Sequence, residues 1–573
     1  MAAAHTSRST SSLSSDHTRG QNEDRFANTR DGKVPPGEDP KLYEKERITA
    51  FAIIIALVAA VGGFIFGYDT GQISGFLQMR DFRERFGEPT VDATGGVTYG
   101  FSYVREGAIV GLLSVGTLIG CTTVGWIADS KLGRKYTIML ACFIFCVGNV
   151  IQIACVQSWV QMAIGRLIAG LGVGQLSVLV PLYQSETAPK RIRGALVATY
   201  QLFITFGILV AYAINAGTET LDNDQSWRIT IGIAFVFAFA LAGAMIFMPE
   251  SPRYSLAHNK EEQAVLAMER IRGVSRHNIY LESDLNDMRA AMNAEAGHNS
   301  GFGELVHGKP KIFYRVLLGV ALQGFQQLTG ANYFFYYGTT IFNSVGIENS
   351  FITSIILGAV NFGCTLGGIG MYYKFGRRWP LILGGIWMCI CFLVFASIGI
   401  TVTVPGSGGL ADAQPTETAG YVMIVFACLF ILGFSTTWST GTWVVTSELF
   451  PTHIRAKAVG FTTGGNWFTN FLLAFFTPFI SGDIGFAYGY VFAGCNLLGA
   501  ATVYFFLYET KGLSLEEVNQ MYGDSSVKPW NSSKWTPKGR ADRGDYTAEE
   551  PKRDASGHVR HLETTKAKPQ PVV

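Results

Sequence analysis

The chain has 573 residues, 48% of them hydrophobic and only 15% charged, with a formal net charge of +2. Soluble domains carry about a quarter charged residues, so most of this chain does not face water. The near-neutral balance gives no electrostatic footprint for a nucleic acid. All nine cysteines fall in apolar runs and read as free packing thiols, neither a disulfide framework nor a metal site.

Residues 1–46 are polar and Ser/Thr-rich without an apolar core, which predicts a disordered cytosolic tail and no cleaved signal. Apolar runs of about 20 residues, long enough to cross a bilayer, then recur near 50–70, 107–128, 136–156, 160–182, 195–216, 229–248, 313–337, 351–373, 380–402, 421–446, 456–479 and 486–508. They predict an all-α membrane protein of twelve transmembrane helices in two six-helix halves, 47–249 and 312–510. Between the halves, 250–311 reads as a cytosolic helical insert. Val265, Leu266, Met268 and Ile271 recur at helical spacing among Glu261, Glu262, Glu269, Arg270 and Arg272; a solvated linker is the alternative. Residues 511–573 read as a second disordered cytosolic tail, with the sequon Asn531-Ser532-Ser533 on its unglycosylated side.

Charge places the ends. The short loops after spans two, four, eight and ten carry Lys131/Arg134/Lys135, Lys190/Arg191/Arg193, Lys374/Arg377/Arg378 and Arg455/Lys457, whereas 157–159, 339–350, 403–420 and 481–485 carry no Lys or Arg. The positive-inside rule then puts both termini in the cytosol. The loop 80–106 dissents, with Arg80, Arg83, Arg85 and Arg105 on the outer side among five acidic residues.

The halves echo each other. Ser185-Glu186 to Arg193 returns as Ser447-Glu448 to Arg455, Gly133-Arg134-Lys135 as Gly376-Arg377-Arg378, and Glu250-Ser251 as Glu509-Thr510. Two related halves are a common build of secondary transporters. Glu186 and Glu448 end spans while Arg134, Arg193, Arg377 and Arg455 begin them, so salt bridges among these six predict a cytosolic gate tying the halves together. Plain positive-inside charge is the alternative.

An ionisable group in mid-span is costly and asks for a reason. Asp69 and Arg166 are the two here, and pairing across helices reduces the cost of each; a static packing pair and a proton-coupling pair both remain open. Neutral polar groups are more numerous: Gln201, then Gln323, Gln326, Gln327 and Asn332, then Asn361, then Asn466 and Asn470, with Trp438, Trp443 and Trp467. Amides both donate and accept, and an indole face suits the C–H face of a pyranose. The set points to a neutral, hydroxyl-rich solute, although any single amide fits a helix–helix hydrogen bond equally well.

At these residues the chain resembles the sugar porters of the major facilitator superfamily, and among them the fungal hexose transporters. The likeness runs from about 45 to 525. Its motifs are Gly67-Tyr68-Asp69-Thr70-Gly71, Asp129 with Gly133-Arg134-Lys135, Pro249-Glu250-Ser251-Pro252-Arg253, Gln326-Gln327-Leu328-Thr329-Gly330, Phe475-Phe476-Thr477-Pro478 and Glu509-Thr510-Lys511-Gly512. The resemblance implies transport of a monosaccharide, most of all glucose, by alternating access. Facilitated diffusion is expected ahead of proton symport; a transporter-like glucose sensor is the rival of another class, disfavoured by the short tail. It implies sugar contacts at Gln201, Gln326, Gln327, Asn332, Asn361, Trp443 and Asn470, with Phe66, Tyr336 and Trp467 lining the cavity. Asp69 and Arg166 match the proton-carrying pair of relatives. The expected setting is a monomer in the plasma membrane, with no cofactor, no metal and no enzymatic reaction. Three positions depart from the family: Tyr373 where an acidic residue is usual, Tyr508 in place of Pro, and an uncommon Gln175.

Overall fold

The computed structural model describes residues 49–537, apart from 92–96, 129–131, 190–191, 279–280, 283, 287, 290–302, 345–349, 404–416, 452–453 and 514. The expected N-terminal tail, Asp129 and residues 538–573 lie outside that set. Six long helices form the first half: α1 (Ala50–Phe76), α3 (Tyr103–Ala128), α4 (Gly133–Ile153), α5 (Trp159–Thr187), α6 (Arg193–Thr218) and α7 (Gln225–Phe247). Their apolar runs begin at identifiable caps: the Thr49 and Ser158 hydroxyls accept from Ala52 N and Gln161 N.

The second half has the same six-span plan with two spans broken. Span seven is α11 (Ile312–Leu328) and α12 (Ala331–Ser344), divided at Gly330. Gly330 has φ +93°, and a Cβ there would lie 2.7 Å from the Phe392 ring, so only glycine fits. The span runs to 344, past the 337 expected from hydropathy. Span ten is α15 (Glu417–Gly433), a π turn at Phe434–Trp438 and α16 (Ser439–Glu448). The unbroken spans are α13 (Ser350–Phe375), α14 (Arg378–Thr403), α17 (Arg455–Ile484) and α18 (Tyr488–Phe506). Among the described residues, ten helical stretches are long and apolar enough to cross a bilayer. One of them, Lys457–Phe506, spans α17 and α18, and the halves of broken span seven are each too short to register alone. Twelve spans follow.

The insert is helical as expected. α8 (Pro252–Ala257), α9 (Glu261–Arg272) and α10 (Glu304–His307) lie between the halves. Ala264, Ala267, Met268 and Ile271 form the buried face of α9, while Leu266 points outward. The rest of the stretch 290–302 is outside the described residues.

Two regions differ from the sequence reading. The loop 80–106 is built: α2 (Arg80–Phe86) precedes a hairpin of β1 (Glu88–Val91) and β2 (Val97–Gly100), with Phe82 and Phe86 packed on Trp227. Three of its four arginines are neutralised locally, Arg80 by Glu84 at 2.8 Å, Arg85 by Asp81 at 2.7 Å and Arg105 by Glu88 at 3.0 Å. That explains their exemption from the positive-inside pattern. The C-terminal stretch is not disordered throughout: α19 (Leu515–Gly523) and a 3₁₀ turn at Pro529–Lys534 dock under the second half, with Tyr522 and Ser532 fully buried. Ser532, the middle residue of the sequon, is part of that core.

The halves meet along α3–α17, α6–α13 and α1–α12. The end bearing the Arg/Lys loops is called the basic end below, and the hairpin marks the opposite end.

Candidate functional site

Amides from the second half converge in one network. Asn466 on α17 is its centre: its Nδ2 donates to the side-chain oxygens of Gln323 (2.8 Å) and Gln326 (2.7 Å), and its Oδ1 accepts from Gln327 Nε2 at 2.7 Å. Gln327 Oε1 accepts from Asn332 Nδ2 and from Asn470 Nδ2. Asn470 Oδ1 in turn accepts from Tyr336 Oη at 3.1 Å and, across the halves, from Ser114 Oγ of α3 at 2.8 Å. Gln326 Nε2 donates to the carbonyls of Trp438 and Ser439, at the junction of the π turn and α16. Gln201 of α6 donates to Ser439 Oγ at 3.0 Å, again across the halves. Phe66 of α1 stands edge-on to Trp467 at 5.3 Å, and the buried Trp467 Nε1 has no hydrogen-bond partner among the described residues.

Eight of the ten expected contacts are therefore neighbours through this network or the aromatic pair beside it. Asn361 is buried one step away, accepting from Ser435 Oγ at 2.6 Å on the π turn. Trp443 is half-buried on α16. Trp438 serves packing instead, donating through Nε1 to the Leu381 carbonyl at 2.9 Å. Asn466, Ser114 and Ser439 were absent from the expected contacts. A serine in an apolar helix carries no sequence signal, while Asn466 was visible as an amide and only its central place was not. Gln175 is nine residues beyond Arg166, two and a half turns, so it projects from the opposite face of α5. It is buried there, with Oε1 unpartnered among the described residues.

Asp69 and Arg166 form the predicted pair, fully buried, with Oδ2 3.8 Å from Nη2; Gln72 Nε2 donates to the other carboxylate oxygen at 2.6 Å. The pair joins α1 to α5 within the first half.

At the basic end the repeated motifs become one repeated structure. Arg134 grips Glu186 with Nε and Nη2 at 3.2 and 3.3 Å, and Arg377 grips Glu448 in the same fork at 3.1 and 2.7 Å. Gly133 and Gly376, at φ +78° and +86°, turn the chain so that Glu250 receives the N–H groups of Arg134 and Lys135, and Glu509 those of Arg377 and Arg378. Each carboxylate thus sits on a helix N-terminus, where the dipole favours an anion. Burial pushes the Glu250 carboxyl up, against the N–H groups of Ser251, Lys135 and Arg134 and the Arg134 guanidinium, which pull it down. This corrects the expected gate. Both forks lie inside one half, because the Arg opens span three of that half and the Glu closes span four, which packs antiparallel beside it. Arg377 has its partner in Glu448, although Tyr373, whose side chain is outside the described residues, replaces the usual acid. Arg193 and Arg253 of the first half lie within electrostatic reach of Arg455 of the second, but these like charges repel, and the attractive partner of Arg455, Glu448, is in its own half.

The opposite end is shut by uncharged groups that the sequence reading did not single out. Ser74 Oγ and Thr339 Oγ1 are 3.0 Å apart, Gln78 Nε2 donates to Thr340 Oγ1 at 2.8 Å, and Asn343 Nδ2 donates to Gln78 Oε1 at 3.0 Å. These bonds join the end of α1 and the turn that follows it to α12. No group of three or more His, Cys, Asp or Glu among the described residues could hold a metal.

Two broken spans, a pseudo-repeated charge motif and a polar network between halves define a membrane carrier of the major facilitator type. Residues 55–522 match the family described as "Sugar (and other) transporter". A low-affinity glucose transporter of Saccharomyces cerevisiae is 44% identical over 485 residues, covering 84% of each chain. A high-affinity fructose transporter of Schizosaccharomyces pombe is 42% identical, covering 84% of this chain and 88% of its own. Among solved structures, a proton:xylose symporter bound to 6-bromo-6-deoxy-D-glucose aligns with TM-score 0.68 and 26% identity over 83% of this chain and all of its own. This chain belongs to the sugar transporter family. It is a multi-pass transporter and no enzyme.

Proposed function

We propose that this chain carries a hexose, glucose foremost, down its gradient across the plasma membrane by alternating access, as a monomer with both termini in the cytosol. One observation carries the reading: an uncharged amide network in mid-membrane, bonded to both halves through Asn470–Ser114 and Gln201–Ser439. Sugar hydroxyls replace such amide–amide bonds one for one, so neither partner is left unsatisfied and no charge is desolvated. Gln201, Gln326, Gln327, Asn332, Asn361 and Asn470 then serve as polar contacts, and Phe66, Tyr336, Trp443 and Trp467 as walls.

In this reading the state described has its outer end closed by the hydrogen bonds from Ser74 and Gln78 to α12. Reversal requires those bonds to part while the basic end tightens around Arg134–Glu186, Arg377–Glu448, Arg193 and Arg455. The glucose and fructose transporters among the relatives support a hexose. The buried Asp69–Arg166 pair, together with the symporter likeness, favours a second reading, proton-coupled uptake.

Uptake of labelled glucose in cells lacking their own hexose carriers tests both. The proposal expects saturable uptake that equilibrates and ignores a protonophore. Accumulation against a gradient that a protonophore and Asp69→Asn both abolish would establish symport instead. Absence of uptake with the protein at the surface would leave the sensor reading.

A further inference from the structure

The two halves hold the same charge motif in different ways. In the first, the chain leaves Glu250 directly into α8 through the Ser251 cap. In the second, the chain beyond α18 folds back on itself. The Tyr508 hydroxyl donates to the Val527 carbonyl at 3.2 Å, and its ring lies 4.5 Å from that of Tyr522. Ser532 Oγ accepts from Glu509 N at 2.9 Å and donates to the Pro529 carbonyl at 2.6 Å.

From this segment two routes run to Glu448, the partner of Arg377. Thr510 Oγ1 donates to Glu448 Oε2 at 2.6 Å. Arg315 of α11 stacks over the Tyr522 ring at 4.5 Å and donates to Asn519 Oδ1 at 2.7 Å, while its Nε donates to the carbonyl of Leu449, the residue after Glu448. A third route ends on Glu509, which receives the Arg377 N–H. Ser532 is fully buried with its hydroxyl both donating and accepting, so it contributes direction as well as volume. Tyr508, the departure from the family's proline, has a use here: its ring and hydroxyl anchor the segment.

We infer that residues 508–535 are a clasp that positions Glu448 and Glu509 and thereby sets the strength of the Arg377–Glu448 fork, with Tyr508, Thr510 and Ser532 as positioning residues. The clasp acts on one half only and makes the pseudo-symmetric basic end asymmetric. The inference rests on the reading of that fork as part of the gate.

The test uses the full chain in hexose-carrier-null cells, with transport expressed per molecule at the surface. Thr510→Val, Ser532→Ala and Tyr508→Phe are measured alone and with Glu448→Gln, and Ser532→Thr serves as the conservative control. Each single variant is expected to change maximal velocity about threefold or more while the half-saturation constant moves less than about twofold. In the Glu448→Gln background the same changes should add nothing, because their target is gone, and Ser532→Thr should stay near wild type. Unchanged velocity in Thr510→Val and Ser532→Ala overturns the clasp, as does an effect that persists in full beside Glu448→Gln. Where Glu448→Gln leaves no velocity to compare, the single variants decide. If Glu448→Gln alone transports like wild type, the gate reading fails and the clasp falls with it.

Discussion

Asn466 shows how much a single amide can hold in a dry setting. Its two ends serve Gln323, Gln326 and Gln327, and leaving one buried polar group unpaired costs about 1–3 kcal/mol. Asn466→Ala should therefore raise the half-saturation constant and lower the thermal stability of the purified protein together. Gln326→Ala, which deletes one contact group, should raise the half-saturation constant about tenfold, the equivalent of about 1.4 kcal/mol, with surface expression retained. An unchanged constant in both variants would remove the network from the binding site. The Asp69–Arg166 pairing and the wealth of mid-span amides were legible before any geometry, whereas the set of ten expected contacts came from the family resemblance; eight of those ten are neighbours in the structure. Ser114 and Ser439 were not legible, because a hydroxyl that bonds its own helix and one that bonds a neighbour read alike in sequence.

At the scale of elements, the informative departures are breaks. Hydropathy finds a span as a continuous apolar run, so it detected spans seven and ten and missed that Gly330 and the Phe434–Trp438 π turn divide them. Both breaks lie beside the amide network, and at the second the carbonyls of Trp438 and Ser439 accept from Gln326. Gly330→Ala places a side chain at φ +93° and against Phe392 and Phe492, a conformation costing about 1–2 kcal/mol before the overlap is counted. It should sharply reduce transport per surface molecule, read by labelled-glucose influx; wild-type influx would show that α12 does not need the break. The hairpin and the docked α19 escaped for another reason. Their residues are as polar as a loop, and they fold because the twelve-span body gives Phe82, Phe86 and Tyr522 something to pack on.

For the whole molecule, the α1–α12 contact is the readiest handle on alternation. A disulfide between cysteines placed by Ser74→Cys and Thr339→Cys should form under mild oxidation, halt transport and release it on reduction. Transport that continues with the cross-link complete would mean that this end need not open. The repeated Glu/Arg motif was legible as a repeat, with its offsets near half the chain, yet not as two separate intra-half forks. A spacing of seven residues between Glu186 and Arg193 says nothing about which arginine a carboxylate will choose; packing of span three beside span four decides that.

The most direct measurement is counterflow with the purified chain in liposomes, preloaded with unlabelled glucose and given a trace of labelled glucose outside, comparing wild type with the Gln326→Ala/Asn470→Ala double variant. The account predicts a transient overshoot of label for wild type and none for the double variant at the same sugar concentration, with both proteins equally inserted. Wild-type liposomes that take up label no faster than empty ones, or a double variant that overshoots like wild type, would contradict it.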